Sequence, residues 1–372
     1  MVNLQLASFA PYSGKSAISL ALGLHYKAKG LSVKYMKPIS TMTVVDGKQE
    51  SWEAAFISEK LGIKEPSELL SPVLVTPDNF EELMEAPPRQ WEIKVTNAYR
   101  TLSKDTDLML IESGMNWAQG YSIGLSVNHL AHLLDTRVLL VMNYEPYLYI
   151  DGAVFAQERL MGHLCGIIVN RVPQGLVEKI GGQMRRVMKH YNIPVVGVLP
   201  EDKILCSISV EELAEQLGGE ILEDFERVYP EPLEMEETEK PYPSRERKEL
   251  IENFSVGAMN VEQALTYFRR IPRKAVITGG DRADIQLAAL ETDTVALVLT
   301  GNLYPALVVQ TQAALQHVPI ILVAESTMQV VRRIDEVMGP VRIRDERQIE
   351  RLKQLVEGDP GLAELSRSLG LP

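Results

Sequence analysis

Short apolar runs alternate with amphipathic segments along most of this chain. Leu4, Leu6 and Phe9 mark a buried strand, and from Lys15 onward Ile18, Leu20, Ala21 and Leu24 fall at helical spacing. Further strand-like runs follow at Ser32–Ile39, Asp107–Ile111, Arg137–Met142, Cys165–Asn170 and Val195–Leu199. Between them, helical patterns cover Glu50–Leu61, Ile93–Leu102, Ser122–Leu134, Val154–Met161 and Leu176–Tyr191, while Pro66–Pro88 reads as irregular. Near-continuous apolar strands alternating with helices predict an α/β fold with a parallel sheet covered on both faces.

The pattern lapses from Glu223 to Arg247, an acidic, Pro-rich stretch with few aliphatic residues. It reads as a linker or as an extended arm strapped across a neighbour. A second alternating block follows. Its strands are Lys274–Thr278, Val295–Leu299 and Ile320–Ala324, and its helices Val261–Arg270, Ile285–Leu290, Ala306–His317 and Val330–Met338, with a last helix at Gln348–Leu355. The expected organisation is therefore a domain over residues 1–222, a linker over 223–247, a smaller α/β domain over 248–345 and a C-terminal helix and tail over 346–372. A length of 372 residues agrees with two cores rather than one.

Charge and cysteine content narrow the class. A net charge of −12 argues against a general nucleic-acid or anionic-membrane binder, although one basic pocket can still hold a phosphate. The two cysteines, Cys165 and Cys206, lie in apolar surroundings without metal-ligand spacing, which fits a reducing, cytoplasmic compartment. No apolar run approaches the ~20 residues of a membrane span, and the N-terminus has no signal-peptide pattern.

The candidate chemistry starts where the first strand runs into Pro11, Ser13 and Gly14 and then into a helix opening with Lys15 and Ser16. Strand, loop and Gly-Lys-Ser opening a helix is the layout of a phosphate-binding loop. Amide N–H groups and the helix dipole favour phosphate there, Lys15 reaches the outer phosphates, and the Ser16 hydroxyl ligates Mg²⁺. Glycine is missing at Phe9 for the eight-residue form of the loop and at Ser8 for a form one residue longer. The competing reading is a chance Gly-Lys-Ser tripeptide. Two more strands end in Lys37 and Glu112, so in a parallel sheet three strands deliver Lys15 with Ser16, Lys37 and Glu112 to one edge. Singly, Lys37 is equally a solvated strand-end lysine and Glu112 a helix cap.

Ser8 to Ser16, Lys37-Pro38, Glu112 and Val169-Asn170-Arg171 together resemble the dethiobiotin synthetase family over roughly residues 1–217. The form they look closest to is the synthetase-like domain at the front of some long bacterial phosphate acetyltransferases. The resemblance implies a parallel P-loop-type sheet and Mg-ATP as cofactor. It implies Ser13, Gly14, Lys15 and Ser16 on the phosphates, with Asn170 matching a family asparagine that contacts adenine. Ser16, Glu53 and Glu112 would lie on Mg²⁺, and Lys15 and Lys37 near the transferred phosphoryl group. Pro11 stands where the family has threonine, and Ser113-Gly114-Met115-Asn116-Trp117 replaces a glycine-rich substrate segment. Those departures separate Mg-ATP binding, which is expected, from dethiobiotin synthesis, which is not.

Residues 254–344 resemble a DRTGG domain through Ser255-Val256-Gly257-Ala258-Met259, Ile277-Thr278-Gly279-Gly280-Asp281-Arg282 and Thr300-Gly301-Asn302. Such domains accompany regulatory modules, tend to pair and are associated with nucleotides, which implies a homo-oligomer formed through this domain. Gly279 and Gly280 permit a tight turn exposing N–H groups, and Arg282 either meets an anion there or pairs with Asp284. With no acetyltransferase domain following, acetyl transfer is not expected.

Three other patterns point elsewhere. Gly120-Tyr121-Ser122-Ile123-Gly124 fits a hydrolase nucleophile elbow but lacks the preceding strand, so Ser122 reads as a helix cap. His129 and His132 share a helix face without a third ligand, and Trp52, Trp91 and Trp117 read as packing or rim residues. Two functional classes follow. One is an Mg-ATP-binding protein with a regulatory or assembly role, with ATP turnover or ligase chemistry as sub-cases. The other is a scaffold that no longer turns ATP over and holds a protein partner or nucleotide through its second domain.

Overall fold

In a computed structural model, the chain is described at residues 1–372 except 42, 46, 47, 77, 146–148, 223–243, 339–342 and 344. Side chains are described for these residues less 43–45, 48–50, 149, 244–245 and 335–338. Most of the acidic stretch therefore lies outside the described residues.

The chain divides into two compact units, Met1–Asp202 with Ile343–Pro372, and Lys203–Arg342. In the first, β1 (Val2–Ala7), β2 (Val33–Met36), β3 (Leu108–Glu112), β4 (Arg137–Asn143), β5 (Leu164–Val172) and β6 (Val195–Pro200) form a parallel sheet. Their spatial order is β6-β5-β4-β1-β3-β2. All of β3 is buried, which is why its sequence is apolar without alternation. Along β4 and β5, Val138, Leu140, Met142, Ile167 and Val169 pack on one face against Ala153, Ala156, Met184 and Met188. The first helix, α1 (Lys15–Ala28), runs back across the sheet, and Gly23 lets it approach Leu110 and Leu61 closely. The helix α2 (Trp52–Leu61) is capped by the Ser51 hydroxyl and ends at Gly62 in left-handed geometry.

Four sequence expectations are corrected. The C-terminal residues form two helices, Glu346–Gly358 and Gly361–Leu369, that belong to the first unit instead of trailing as a tail. The Tyr26 hydroxyl meets the Ser366 hydroxyl at 2.9 Å, and Asp359 accepts from the Val198 amide at 2.8 Å. Pro66–Pro88 contains two short helices and a strand, Val73–Val75, paired with Ile39–Thr41. The helix expected from Ser122 starts at Val127, because Gly120 and Gly124 take left-handed backbone. Ser126, not Ser122, caps it by accepting from the His129 amide.

The fourth correction moves the boundary of the first domain from 222 to 202. Ile208–Ser209 pairs with Leu250–Ile251, and the helix Val210–Leu217 buries Val210, Leu213 and Leu217 in the second core. A helical pattern shows which face is apolar but not which sheet it meets. The second unit holds β7 (Glu220–Ile221), β8 (Asn253–Val256), β9 (Lys274–Gly279), β10 (Thr294–Thr300) and β11 (Ile320–Leu322), ordered β7-β11-β10-β9-β8. All neighbours are parallel except β7, which runs antiparallel at the edge. Successive β9 residues face opposite ways, Ala275 and Ile277 into one core and Val276 into the other. The smaller unit thus has helices on both faces.

Candidate functional site

The first β-strand delivers the chain to a loop whose last residue, Gly14, has φ +96° and immediately precedes α1. This is a conformation that glycine adopts without strain. It also packs against Asn170, whose side-chain amide donates to the Ser13 carbonyl at 2.9 Å. A Cβ at Gly14 would lie 2.5 Å from Asn170 Nδ2. Gly14→Ala is expected to cost about 1–3 kcal/mol in urea unfolding, from left-handed strain plus that overlap. Ser13 is buried, and its hydroxyl has no partner among the described residues.

Lys15 is 5% exposed. Its ammonium donates to the Ser8 hydroxyl at 2.7 Å and to the Met115 carbonyl at 3.1 Å. Burial lowers its pKa from 10.5 to about 8, with Lys37 adding to the effect and Glu112 and Glu53 opposing it. The serine that replaces a loop glycine at position 8 thus supplies a hydroxyl for this lysine. Phe9 is turned away from the loop: its ring stacks on Trp117 at 4.8 Å and meets Phe155 edge-on at 5.9 Å. Tyr12, at φ +55°, is half exposed.

Register explains the rest of the cluster. Met36 lies beside Ile111, so the next residues along, Lys37 and Glu112, meet at the strand ends. Glu112 is 1% exposed and accepts three hydrogen bonds. The Ser16 hydroxyl reaches Oε1 at 2.8 Å, the Lys37 ammonium reaches Oε1 at 3.2 Å, and the Tyr35 hydroxyl reaches Oε2 at 2.9 Å. Lys37 also makes a short ion pair with Glu53, near the start of α2. Burial pushes the Glu112 carboxyl upward, but Lys37, Lys15 and the two hydroxyl donors outweigh it and hold it below the usual carboxylate range. For Lys37, burial is overcome by the two carboxylates, which raise the ammonium above its ordinary value.

The structure therefore brings Lys15, Ser16, Lys37, Glu53 and Glu112 together, with Ser13 and Gly14 in the adjoining loop and Asn170 on β5 bonded to it. Tyr35 and Gln5 were not legible as site residues. Gln5 sits inside an apolar strand and donates to Ser113 at 2.9 Å and Val127 at 3.1 Å while accepting from Thr136 at 2.7 Å. Both complete buried polar networks. The spacing of Tyr35 two residues before Lys37 in an extended segment was the available signal.

Ser16, Glu53 and Glu112 offer the hard oxygens that Mg²⁺ prefers, and a cation, the Lys37 ammonium, already lies between the two carboxylates. The unpartnered Ser13 hydroxyl beside the left-handed Gly14 fits a phosphate oxygen. Among the described residues no three His, Cys, Asp or Glu side chains form a metal cluster. His129 instead pairs with Glu92 at 3.1 Å, and His132 packs on the His163 ring. No described helix is long and apolar enough to cross a membrane. The Cys165 thiol is buried and donates to the Val138 carbonyl at 3.2 Å.

In the second unit, the Gly280 amide donates to the Thr300 carbonyl at 3.3 Å and the Arg282 amide to Gly279 at 3.1 Å, so these N–H groups are not exposed as expected. Gly280 is needed for contact, since a Cβ there would lie 1.8 Å from the Leu303 carbonyl oxygen. Arg282 pairs with Asp284 at 3.2 Å.

Comparison with known proteins accords with both units. Residues 242–337 match the DRTGG domain. Among curated proteins the chain is similar to a phosphate acetyltransferase of Synechocystis sp. (strain ATCC 27184 / PCC 6803 / Kazusa), 21% identical over 259 residues. That match covers 65% of this chain and 34% of the relative, so the chain spans about a third of that protein's length. Among solved structures it is similar to the MinC:MinD cell division complex of Aquifex aeolicus, at 15% identity over 55% of this chain and 84% of that one, with TM-score 0.35. It is also similar to the CBS and DRTGG domains of the regulatory region of Clostridium perfringens pyrophosphatase, complexed with the activator diadenosine tetraphosphate. There the identity is 19%, over 49% of this chain and 79% of that one, with TM-score 0.29. Residues 3–208, more than half of the 372, match the AAA domain model AAA_26, and the chain belongs to that family of P-loop domains, here joined to a DRTGG domain.

Proposed function

We propose that this chain binds Mg-ATP on its first unit and uses the bound state to control an assembly formed through its DRTGG domain. The observation that carries the reading is the buried cluster at the first turn of α1. There a lysine ammonium, a serine hydroxyl and a strand-end carboxylate converge beside an unpartnered Ser13 hydroxyl. Lys15 exchanges its contacts with Ser8 and Met115 for phosphate oxygens, and the amides following Gly14 supply further donors. Ser16, Glu112 and Glu53 hold Mg²⁺, which when bound offsets the negative charge of the phosphates. Lys37 stands beside these groups and stabilises charge on the outermost phosphate. Asn170 supports the loop through Ser13 and, matching a family asparagine in sequence, is the residue we assign to the adenine.

Calorimetry of the full chain with Mg-ATP, Mg-ADP and AMP tests this. One site that takes ATP and ADP but not AMP supports it, and no binding of any of the three refutes it.

A specific observation also favours the assembly half. Val256 at the end of β8, Met259 just beyond it, and Leu303, Tyr304, Leu307 and Val308 after β10 are exposed apolar residues at the carboxyl ends of strands in the second unit. Exposed apolar residues clustered at one sheet edge suit association, and we assign this edge to pairing with a second copy. Tyr304→Asp with Leu307→Asp is expected to turn a dimer into a monomer by light scattering, and an unchanged mass would contradict the assignment.

A further inference from the structure

The Lys37 ammonium lies between the two carboxylates that the nucleotide reading gives to a divalent cation, bonded to Glu112 and to Glu53. It is 4% exposed and Glu112 is 1% exposed, so water is kept from the Lys37–Glu112 contact, while the Glu53 side chain reaches the ammonium from the solvent side, 41% exposed. Glu112 Oε1 receives both Lys37 and the Ser16 hydroxyl. Ser16 donates its hydrogen to Glu112 in this arrangement and keeps its oxygen lone pairs for a cation, so the ammonium of Lys37 is the competing group. The other oxygen, Oε2, is held by Tyr35, so the carboxylate cannot simply rotate toward a newcomer.

We propose that Lys37 is a built-in counter-ion: it fills the divalent-cation position of the nucleotide-free site, and Lys37 and the cation are mutually exclusive between Glu53 and Glu112. This rests on the Mg-ATP reading and adds a regulatory rule to it. A monovalent cation and a divalent one in the same gap would repel each other at a few ångströms in a buried setting. Conversely, Glu112 left without any cation would be an uncompensated buried charge beside a second carboxylate, Glu53. Lys37 resolves this in the resting chain, and entry of the cation requires its ammonium to leave. The phosphates supply a destination for it, so cation and nucleotide enter together. A cation alone binds weakly because it must displace a paired, buried lysine that has nowhere else to go.

The test measures Mn²⁺ binding to the full chain by electron paramagnetic resonance, with no nucleotide present. Lys37→Met is expected to bind Mn²⁺ about tenfold or more tighter than the wild type, because the competing charge is gone. Lys37→Arg keeps the charge and is expected to stay as weak as the wild type. Should the methionine variant fail to fold, Lys37→Gln replaces it, since its amide still donates to Glu112. Thermal unfolding of that variant should then show a larger Mn²⁺-induced rise than the wild type. Methionine or glutamine variants that bind Mn²⁺ no tighter, or an arginine variant that binds as tightly as they do, overturn the counter-ion. The two readings fail separately. A wild-type chain that does not bind Mg-ATP removes the nucleotide reading, whereas these variants are compared without nucleotide and judge only the competition.

Discussion

Lys15→Met is expected to have two opposite effects. Mg-ATP binding should weaken by about a hundredfold or more, because several charge-assisted hydrogen bonds to phosphate are lost together. The ligand-free protein should become more stable, with a higher Tm at neutral pH. The reason is the cost of keeping the Lys15 ammonium in a buried site, shown by a pKa lowered from 10.5 to about 8. That displacement corresponds to a stabilisation on the order of 3 kcal/mol when the charge is removed. The sign with pH follows directly. Between about pH 8 and 10.5 the unfolded chain binds more protons than the folded one, so wild-type stability should rise with pH across that window. The methionine variant should lose that rise. Calorimetric titration and thermal unfolding of the same preparation check both effects. A variant that retains ATP affinity contradicts the phosphate contact, and one that loses stability contradicts the burial cost.

The second large effect is on the carboxylate. Glu112→Ala removes the shared acceptor of Ser16, Lys37 and Tyr35 and leaves Lys37 with Glu53 alone. Breaking a buried ion pair by removing one partner costs about 3–5 kcal/mol. Urea unfolding should show a loss of that size, together with loss of cation binding. Acid should act on the same pair. Glu112 titrates below the usual carboxylate range in the folded chain, so its stabilisation is complete above that range. It is lost as pH falls through the lower native value. Glu112→Gln should flatten this acid limb of the stability profile.

The architecture was legible wherever a local pattern decided it. The unbroken apolar run of Leu108–Glu112 marked a central strand, and the periodicity after Lys15 marked the helix behind the loop. Placing Lys37 and Glu112 on one edge of the sheet needed only the rule that parallel strands gather their carboxyl ends there, whereas the pairing of Met36 with Ile111 makes their strands neighbours. What pattern could not show were partners distant in sequence. Tyr35 and Gln5 look like core positions until their partners on other elements are known. The final helix was missed because its apolar face is completed only by groups such as Tyr26 and Val196. The helix Val210–Leu217 has a clear apolar face, yet only strand pairing assigns it to the second core. The roles of individual site residues are a further step, and they rest on the proposal.

The central claim is that Lys15 meets a polyphosphate at the first turn of α1. Its most direct test is proton uptake on Mg-ATP binding, measured by calorimetry at pH 8 in two buffers of different ionisation enthalpy. With a free pKa of about 8, Lys15 is half protonated at that pH and becomes fully so against phosphate. The account predicts uptake of about half a proton at pH 8, vanishing at pH 6.5 and in Lys15→Met. Binding heats that do not depend on the buffer at pH 8 would contradict it.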